Sequence, residues 1–537
     1  MTAIAHSIML TDGWRRLLIA LLAGLVSAAA MPPFFILPGL FLGMTLLVWL
    51  IDGMPRPSRR RLPFAAFGTG WAFGFGYFIA SLHWIGTAFF VDPALTGWLA
   101  PAAIIALPAI LALFFGAGTA LAHLLWSDGG HRVLALAGAL SLTEYLRGHI
   151  LTGFPWNLPG YALTGAPQLM QGAAFIGVYG LTFVALAIAA TPALLWPASG
   201  QPVWRRATPL VTGLLALALG VGGGQLRLDM TSLEIRPDMR LRLVQPNIAQ
   251  EDKWRPGNEE FILARFLDLS AMRTTPDNPG LIAATHLIWP ESAFPFLVAE
   301  HPNALARIAR LLPPGTTLIT GAAREEVATS FTGDEATGVL NSILAISDQG
   351  EITATYDKLR LVPFGEFLPF RPVFAALGFS ELVASQSSFA PGAGTERAFA
   401  PAGTPPVLPL ICYEAIFSGD LGSKADNAEW ILNLTNDAWF TGSIGPDQHF
   451  HHARLRAVEE GLPLVRVANT GVTALVDPLG RITARLSPDE SGVLDGQINK
   501  PVNKTAFSRY RDAPLLLMLL VSAAIVFLRN RAERSSR

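Results

Sequence analysis

Apolar residues are unevenly distributed along the chain. Residues 1 to about 226 are nearly continuous apolar runs, residues about 227 to 510 mix apolar and polar positions as a globular domain does, and the last stretch is apolar again. Seven runs precede the globular region, at roughly Trp14 to Met31, Phe34 to Ile51, Phe64 to Phe90, Trp98 to Trp126, Val133 to Leu146, Leu169 to Trp196 and Pro209 to Gly224; an eighth covers Pro514 to Leu528. A helix needs ~20 apolar residues to cross a bilayer, so these runs predict spans that tilt or sit within a bundle to fit. The first run, with Arg15-Arg16 ahead and Ala28-Ala29-Ala30 behind, also has the layout of a cleavable signal peptide. Because another run begins at Phe34, a retained hairpin is the expectation.

Arginines orient the spans. Arg15 and Arg16, then Arg56, Arg59, Arg60 and Arg61, then Arg132, Arg205 and Arg206, and finally Arg529, Arg531, Arg534 and Arg537 fall at alternate membrane ends, which are therefore cytoplasmic. Arg147 is the exception. Seven crossings from a cytoplasmic start put the globular region outside, in a bacterium the periplasm. Glu144 and Arg147 close the fifth run, either as a structural pair capping a short helix or as a contact to lipid headgroups. Gly153 to Tyr161, with its prolines and Trp156, reads as an external loop whose aromatic ring suits the interface.

Within the globular region, Leu241 to Gln245, Thr317 to Gly321, Ser342 to Ile346 with Glu351 to Tyr356, and Trp430 to Asn433 have the length and pattern of strands. Asn258 to Arg273 and His449 to Gly461 read as helices, and Gly471 to Leu486 as a hairpin across Pro478-Leu479-Gly480. Such alternation predicts sheet layers with helices outside.

Composition agrees with a membrane protein, at 51% hydrophobic and 15% charged residues. A net charge of −1 gives no argument for a nucleic-acid partner. One cysteine rules out an internal disulfide and any multi-cysteine metal site. His449, His451 and His452 are not spaced as an i, i+4 pair and have no clear carboxylate cluster, so they read as structural or surface histidines. No metal or cofactor is expected.

That cysteine, Cys412, follows the apolar run Leu408 to Ile411 and precedes Tyr413-Glu414. A buried strand presents the next side chain to a crevice at its carboxyl end. Alone, Cys412 would read as a small buried hydrophobe. Two other strand ends supply partners. His286 to Pro290 hands over Glu291, a candidate general base, and Tyr356 to Glu366 carries Lys358 in a chain with five lysines against many arginines. Lysine beside a thiol would lower its pKa and later stabilise an oxyanion.

Trp-Pro-Glu ending at Glu291, Tyr-x-Lys-x-x-Leu-Val-Pro-Phe-Gly-Glu through Lys358 to Glu366, and Cys-Tyr-Glu at Cys412 resemble the Glu-Lys-Cys triad of the nitrilase superfamily. Gly153 to Trp156, Asn436 to Phe440 and Asn469 to Thr473 narrow the resemblance to the apolipoprotein N-acyltransferase family, over nearly the whole chain. Thr441-Gly442 departs from the family order and bears only on a local turn. The resemblance implies a nitrilase-like α/β/β/α sandwich joined to an all-α transmembrane bundle of about eight helices. The division expected is a bundle over 1–226, a periplasmic catalytic domain over 227–510, and a final span with a cytoplasmic tail over 511–537.

It further implies an acyltransferase of the inner membrane that moves a fatty acyl chain from a phospholipid, through a Cys412 thioester, to the terminal amine of a diacylglyceryl apolipoprotein. Glu291 would shuttle protons and Lys358 would hold the oxyanion. Glu366 and Glu414 would orient Lys358, though either could be the base, with Tyr413 in support. Trp254, Gly153 and Trp156 are the expected substrate contacts, and the protein is expected to be a monomer. Phe370 to Phe389, apolar and poor in charge, is the candidate lid; Phe364, Trp439 and Phe440 join Trp254 as candidates to face the bilayer. A membrane-tethered amidase using water, and an inactive lipoprotein-binding or transport protein, are the rival classes.

Overall fold

The computed structural model describes residues 1–56, 63–196, 202–329, 335–369, 389–393, 399–419 and 427–535. The candidate lid falls almost wholly on 370–388, outside the described residues. The chain forms two compact units, Met1–Thr231 with Lys504–Arg537, and Ser232–Asn503.

The first unit is helical. Among the described residues, Phe64–Phe90, Gly97–Leu124, Ala173–Leu195, Val203–Met230 and Ala513–Glu533 are long and apolar enough to cross a membrane. The remaining three runs are helical too, but Gly13–Ala28 and Leu37–Asp52 have 16 residues each, and Arg132–His149 carries Glu144 and Arg147. Val203–Met230 leaves Val211, Leu214, Leu215 and Leu219 exposed. An apolar face of this extent suits lipid, in which a helix satisfies its own backbone.

Small residues bring helices into backbone contact. A Cβ on Gly24 would lie 1.9 Å from the Phe73 carbonyl oxygen, and one on Gly76 would lie 2.1 Å from that of Leu21. Gly13–Ala28 and Phe64–Leu82 therefore cross where neither can carry a side chain. The fully buried Glu144 and Arg147 pair through Nε to Oε1 at 2.8 Å and Nη2 to Oε2 at 2.6 Å. Arg147 Nη1 also donates to the carbonyls of Phe154 and, at 3.1 Å, Trp156. This is the structural pair of the two sequence readings. It draws the 153–156 loop inward, so Trp156 is buried, 5.1 Å from the Trp84 ring, rather than displayed at an interface.

The second unit has eleven strands among its described residues: β1 (Ile235–Gln245), β2 (His286–Ile288), β3 (Thr317–Thr329), β4 (Glu335–Ile346), β5 (Ile352–Asp357), β6 (Val407–Ile411), β7 (Trp430–Thr435), β8 (Leu464–Ala468), β9 (Thr473–Val476), β10 (Ile482–Leu486) and β11 (Gly492–Asn499). They form sheets of order β11-β1-β2-β3-β4-β5 and β10-β9-β8-β7-β6. Strands β1-β2-β3 and β6-β7-β8 run parallel, the rest antiparallel.

The period of two along each strand sets the layers. Val407 and Ile411 of β6 face inward with Leu241, Leu243, Ile288, Ile319, Leu432 and Val467 between the sheets. Leu408 and Leu410 point the other way, to Phe450, Ala453 and Ala457 of the helix Gly445–Glu460. On the opposite flank Leu287, Leu318 and Leu344 meet Ile262 and Phe266 of Glu259–Ala271 and Ile308 of Pro302–Leu311. The result is helix, sheet, sheet, helix. The expected hairpin is β9-β10, where Asp477 Oδ1 accepts from Leu479 and Arg481 and Gly480 takes a left-handed φ of 81°.

Candidate active site

Three strand ends converge. At the first, β2 gives way to Trp289-Pro290-Glu291, tied to β3 by Gly321 N–H to Pro290 O at 3.1 Å and Ala293 N–H to Gly321 O at 2.9 Å. A Cβ on Gly321 would lie 2.5 Å from Glu291 Cα, so only glycine lets β3 brace the turn. At the second, β5 ends at Asp357 and delivers Lys358, whose backbone N–H donates to Asn341 O on β4 at 2.8 Å. At the third, β6 ends at Ile411, and Cys412 opens a short 3₁₀ turn, Cys412–Ile416, with φ +48°. A non-glycine residue there is strained, and such strain persists only where neighbours fix it.

Glu414 fixes it. Its Oε2 accepts from Ile411 N–H at 2.8 Å, its Oε1 from Leu359 and Arg360 N–H at 3.0 and 3.2 Å, and the Tyr356 hydroxyl donates to both oxygens at 3.0 Å. A fully buried carboxylate so engaged clamps the Cys412 turn to the Lys358 segment. It holds backbone, not the lysine ammonium. Tyr413 is buried edge-on to Phe417 at 5.1 Å, supporting the same turn.

Lys358 Nζ donates to Glu366 Oε1 at 2.7 Å and lies 3.5 Å from Glu291 Oε1. Asn341 Nδ2 bridges the two carboxylates, at 2.8 Å to Glu291 Oε1 and 3.1 Å to Glu366 Oε1. Glu366 is held in turn by Val362 N–H at 2.8 Å. Burial alone would lower the Lys358 pKa, but Glu366, Glu291 and Cys412 together raise it well above the ordinary value, so the ammonium stays charged.

Cys412 departs from expectation. Burial, then the charge of Glu291, raise its thiol pKa, and Lys358 and the Thr435 hydroxyl only partly oppose them. Lys358 acts in the direction the sequence suggests, but desolvation outweighs it. A thiol held this way needs a base to take its proton before its sulfur can act as a nucleophile.

Beneath Cys412 lies a second network that sequence reading missed. His449 is buried, with Nε2 3.0 Å from Cys412 O and Nδ1 2.8 Å from Asp437 Oδ1; Arg466 Nη2 donates to Asp437 Oδ2 at 2.8 Å. Burial would raise the Asp437 pKa, but Arg466 and His449 hold it down at about 2. A Cys412, Asp437 and His449 atom lie mutually within 4.8 Å, a grouping that can hold a cation. With a guanidinium already on the carboxylate and both ring nitrogens of His449 engaged, the set fits a hydrogen-bonded support better than metal ligands. His451 and His452 are buried as well, so none of the three histidines is a surface residue.

Trp254, 52% exposed, follows the short helix Gln250–Lys253, and Phe364 and Trp439 are exposed aromatics of the same unit. Gly153, at φ 71°, and the buried Trp156 belong to the helical unit. Lys253, Asn341 and Gly321 went unassigned in the sequence; the scarcity of lysine was the available signal for Lys253.

Residues 23–191 match the family model for the apolipoprotein N-acyltransferase N-terminal domain, and residues 241–506 match carbon-nitrogen hydrolase. An apolipoprotein N-acyltransferase from Rhodopseudomonas palustris is 46% identical over 536 residues, covering 100% of this chain and 99% of that one. One from Bradyrhizobium diazoefficiens is 44% identical, covering 99% and 98%. Among solved structures, an amidase of the nitrilase superfamily from Nesterenkonia AN1 is 18% identical, covers 53% of this chain and 98% of its own, and has a TM-score of 0.36.

Proposed function

The chain belongs to the apolipoprotein N-acyltransferase family, and from that premise we propose that it moves a fatty acyl chain from a phospholipid, through a thioester on Cys412, to the N-terminal amine of a diacylglyceryl apolipoprotein. The observation that carries this reading is the gathering of Glu291, Lys358 and Cys412, from three strand ends, into one charge-coupled group.

Glu291 takes the thiol proton as sulfur attacks the ester carbonyl. The oxyanion forms against the Lys358 ammonium and backbone N–H groups of the Cys412 turn. As the carbon–oxygen bond breaks, the Glu291 carboxyl returns the proton to the leaving alcohol, releasing lysophospholipid and leaving the thioester. The acceptor amine attacks next, Glu291 removes its proton, and the amide forms as sulfur departs and is reprotonated. Glu366 and Asn341 position Lys358 and Glu291, while Glu414 and Tyr413 hold the turn.

Residues 1–226 and 511–537 supply about eight spans of the bacterial inner membrane in this reading, and 227–510 the periplasmic catalytic domain; the arginine pattern and the five long apolar helices support it. Trp254, Gly153 and Trp156 are proposed substrate contacts, and the protein is proposed to act as a monomer. The test is transfer itself: purified enzyme, a phospholipid labelled in its acyl chains and a diacylglyceryl peptide should yield N-acylated peptide. Release of free fatty acid with no labelled peptide would favour a water-using amidase relative instead.

A further inference from the structure

Lys253 is a charged group of the catalytic unit that the chemistry above leaves unused. It ends the short helix Gln250–Lys253 and is only 2% exposed. No ion pair within 4.0 Å engages its ammonium among the described residues, and Glu291 is the charge that acts on it.

The helix is fixed beside the nucleophile by two asparagines whose role the sequence left open. Asn469 accepts from Asn247 N–H with its carbonyl at 3.0 Å and from Ile248 N–H with its side chain at 3.1 Å, and donates to Ile248 O at 2.8 Å. It donates also to Asn436 Oδ1 at 3.0 Å, and Asn436 Nδ2 donates to Gln250 Oε1 at 2.8 Å. Asn436 adjoins Asp437, which lies within 4.8 Å of the Cys412 sulfur. One side of this helix is therefore anchored on the Cys412 side of the site, while Lys253 lies in the field of Glu291.

Taking a lysine this far out of water with no close counter-ion is costly, and a ligand entering the site can supply the missing partner. The ligand that suits a lysine ammonium is an anion. Of the two substrates in the proposed reaction, the donor carries a phosphodiester a glycerol's length from the ester under attack, whereas the reacting end of the acceptor is an amine that a lysine ammonium repels. Resting on that reading, we propose that Lys253 binds the phosphodiester of the acyl donor and so selects phospholipid at the first half-reaction. Burial brings its pKa down to about 8 against the opposing pull of Glu291; an arriving phosphate holds the ammonium in its charged form.

The experiment compares two acyl donors in the same detergent micelles: phosphatidylethanolamine, and the p-nitrophenyl ester of the same acyl chain, which has no phosphate. The readout is the rate of S-acylation of full-length protein against donor concentration, for wild type, Lys253→Met and Lys253→Arg. A lost charge-assisted bond predicts that Lys253→Met raises the half-saturating phospholipid concentration by roughly 10- to 100-fold. With the p-nitrophenyl ester the loss should be at least ~10-fold smaller, and Lys253→Arg should recover most phospholipid use. Equal loss with both donors would overturn the proposal in favour of an effect on Glu291 or on folding, and no loss with either would also overturn it. Wild type that accepts the p-nitrophenyl ester but never phospholipid would instead remove the donor assignment on which the proposal rests.

Discussion

Lys358 makes its short ion pair with Glu366, Nζ to Oε1 at 2.7 Å, while Glu291 stands 3.5 Å away. The lysine's shortest bond thus goes to Glu366, and Glu291 stays outside hydrogen-bond distance of the ammonium. Glu366→Gln should let Lys358 turn to Glu291 and pair with it directly, occupying the oxygen proposed to take the thiol proton. Acylation of Cys412 should slow by ~10²-fold, within the range of general-base contributions. An unchanged rate in single-turnover acylation would mean that Glu366 only packs.

Lys358→Arg keeps the charge and changes its shape. A planar guanidinium cannot occupy the place of a compact ammonium set between Glu366 and Glu291, so turnover should fall ~10²-fold or more, the scale of one lost oxyanion donor. Near-normal turnover would show that Lys358 acts through long-range charge alone.

Much of this was legible in the sequence because it is periodic. The opposed faces of Val407, Ile411 and Leu408, Leu410 follow from strand alternation, and the five long apolar helices from continuous apolar runs. The rest depends on single polar residues within elements that read as core or as surface. The helix Gly445–Glu460 is rich in polar residues, yet Gln448, His449, Arg456 and Glu459 are buried; its pattern alone suggests a solvated face. Asn341 sits mid-strand, and only the return of β5 beside β4 places it between Glu291 and Glu366. The raised Cys412 pKa was illegible for the same reason, since burial is a three-dimensional property.

Lys253 should carry a stability cost. Its pKa falls from 10.5 to about 8 on folding, so the unfolded chain binds more protons between those values and stability rises with pH across that window. Below pH 8 the cost is fully present, on the order of 3 kcal/mol. Lys253→Met should therefore raise the thermal midpoint at pH 7, with the gap from wild type narrowing as pH approaches 10.5. A gap that is constant with pH would show that burial of the charge is not its source.

Topology is testable with fusions. A reporter active only outside the cytoplasm should work when joined near Asn427, and one active only inside should work after Arg537. The reverse pattern sinks the eight-span arrangement.

The most direct test of the proposed chemistry is the mass of Cys412 itself. Wild-type protein incubated with phospholipid and no acceptor should gain one acyl chain, localised to the Cys412 peptide and released by hydroxylamine, with lysophospholipid formed in equal amount. Cys412→Ala should gain nothing, and Cys412→Ser, whose hydroxyl is a far weaker acid and nucleophile than a thiol, should fail to pass acyl groups to the acceptor although it folds and inserts normally. Continued transfer to a diacylglyceryl peptide by Cys412→Ala, or the absence of any hydroxylamine-labile acyl group on phospholipid-loaded wild type, would contradict the mechanism.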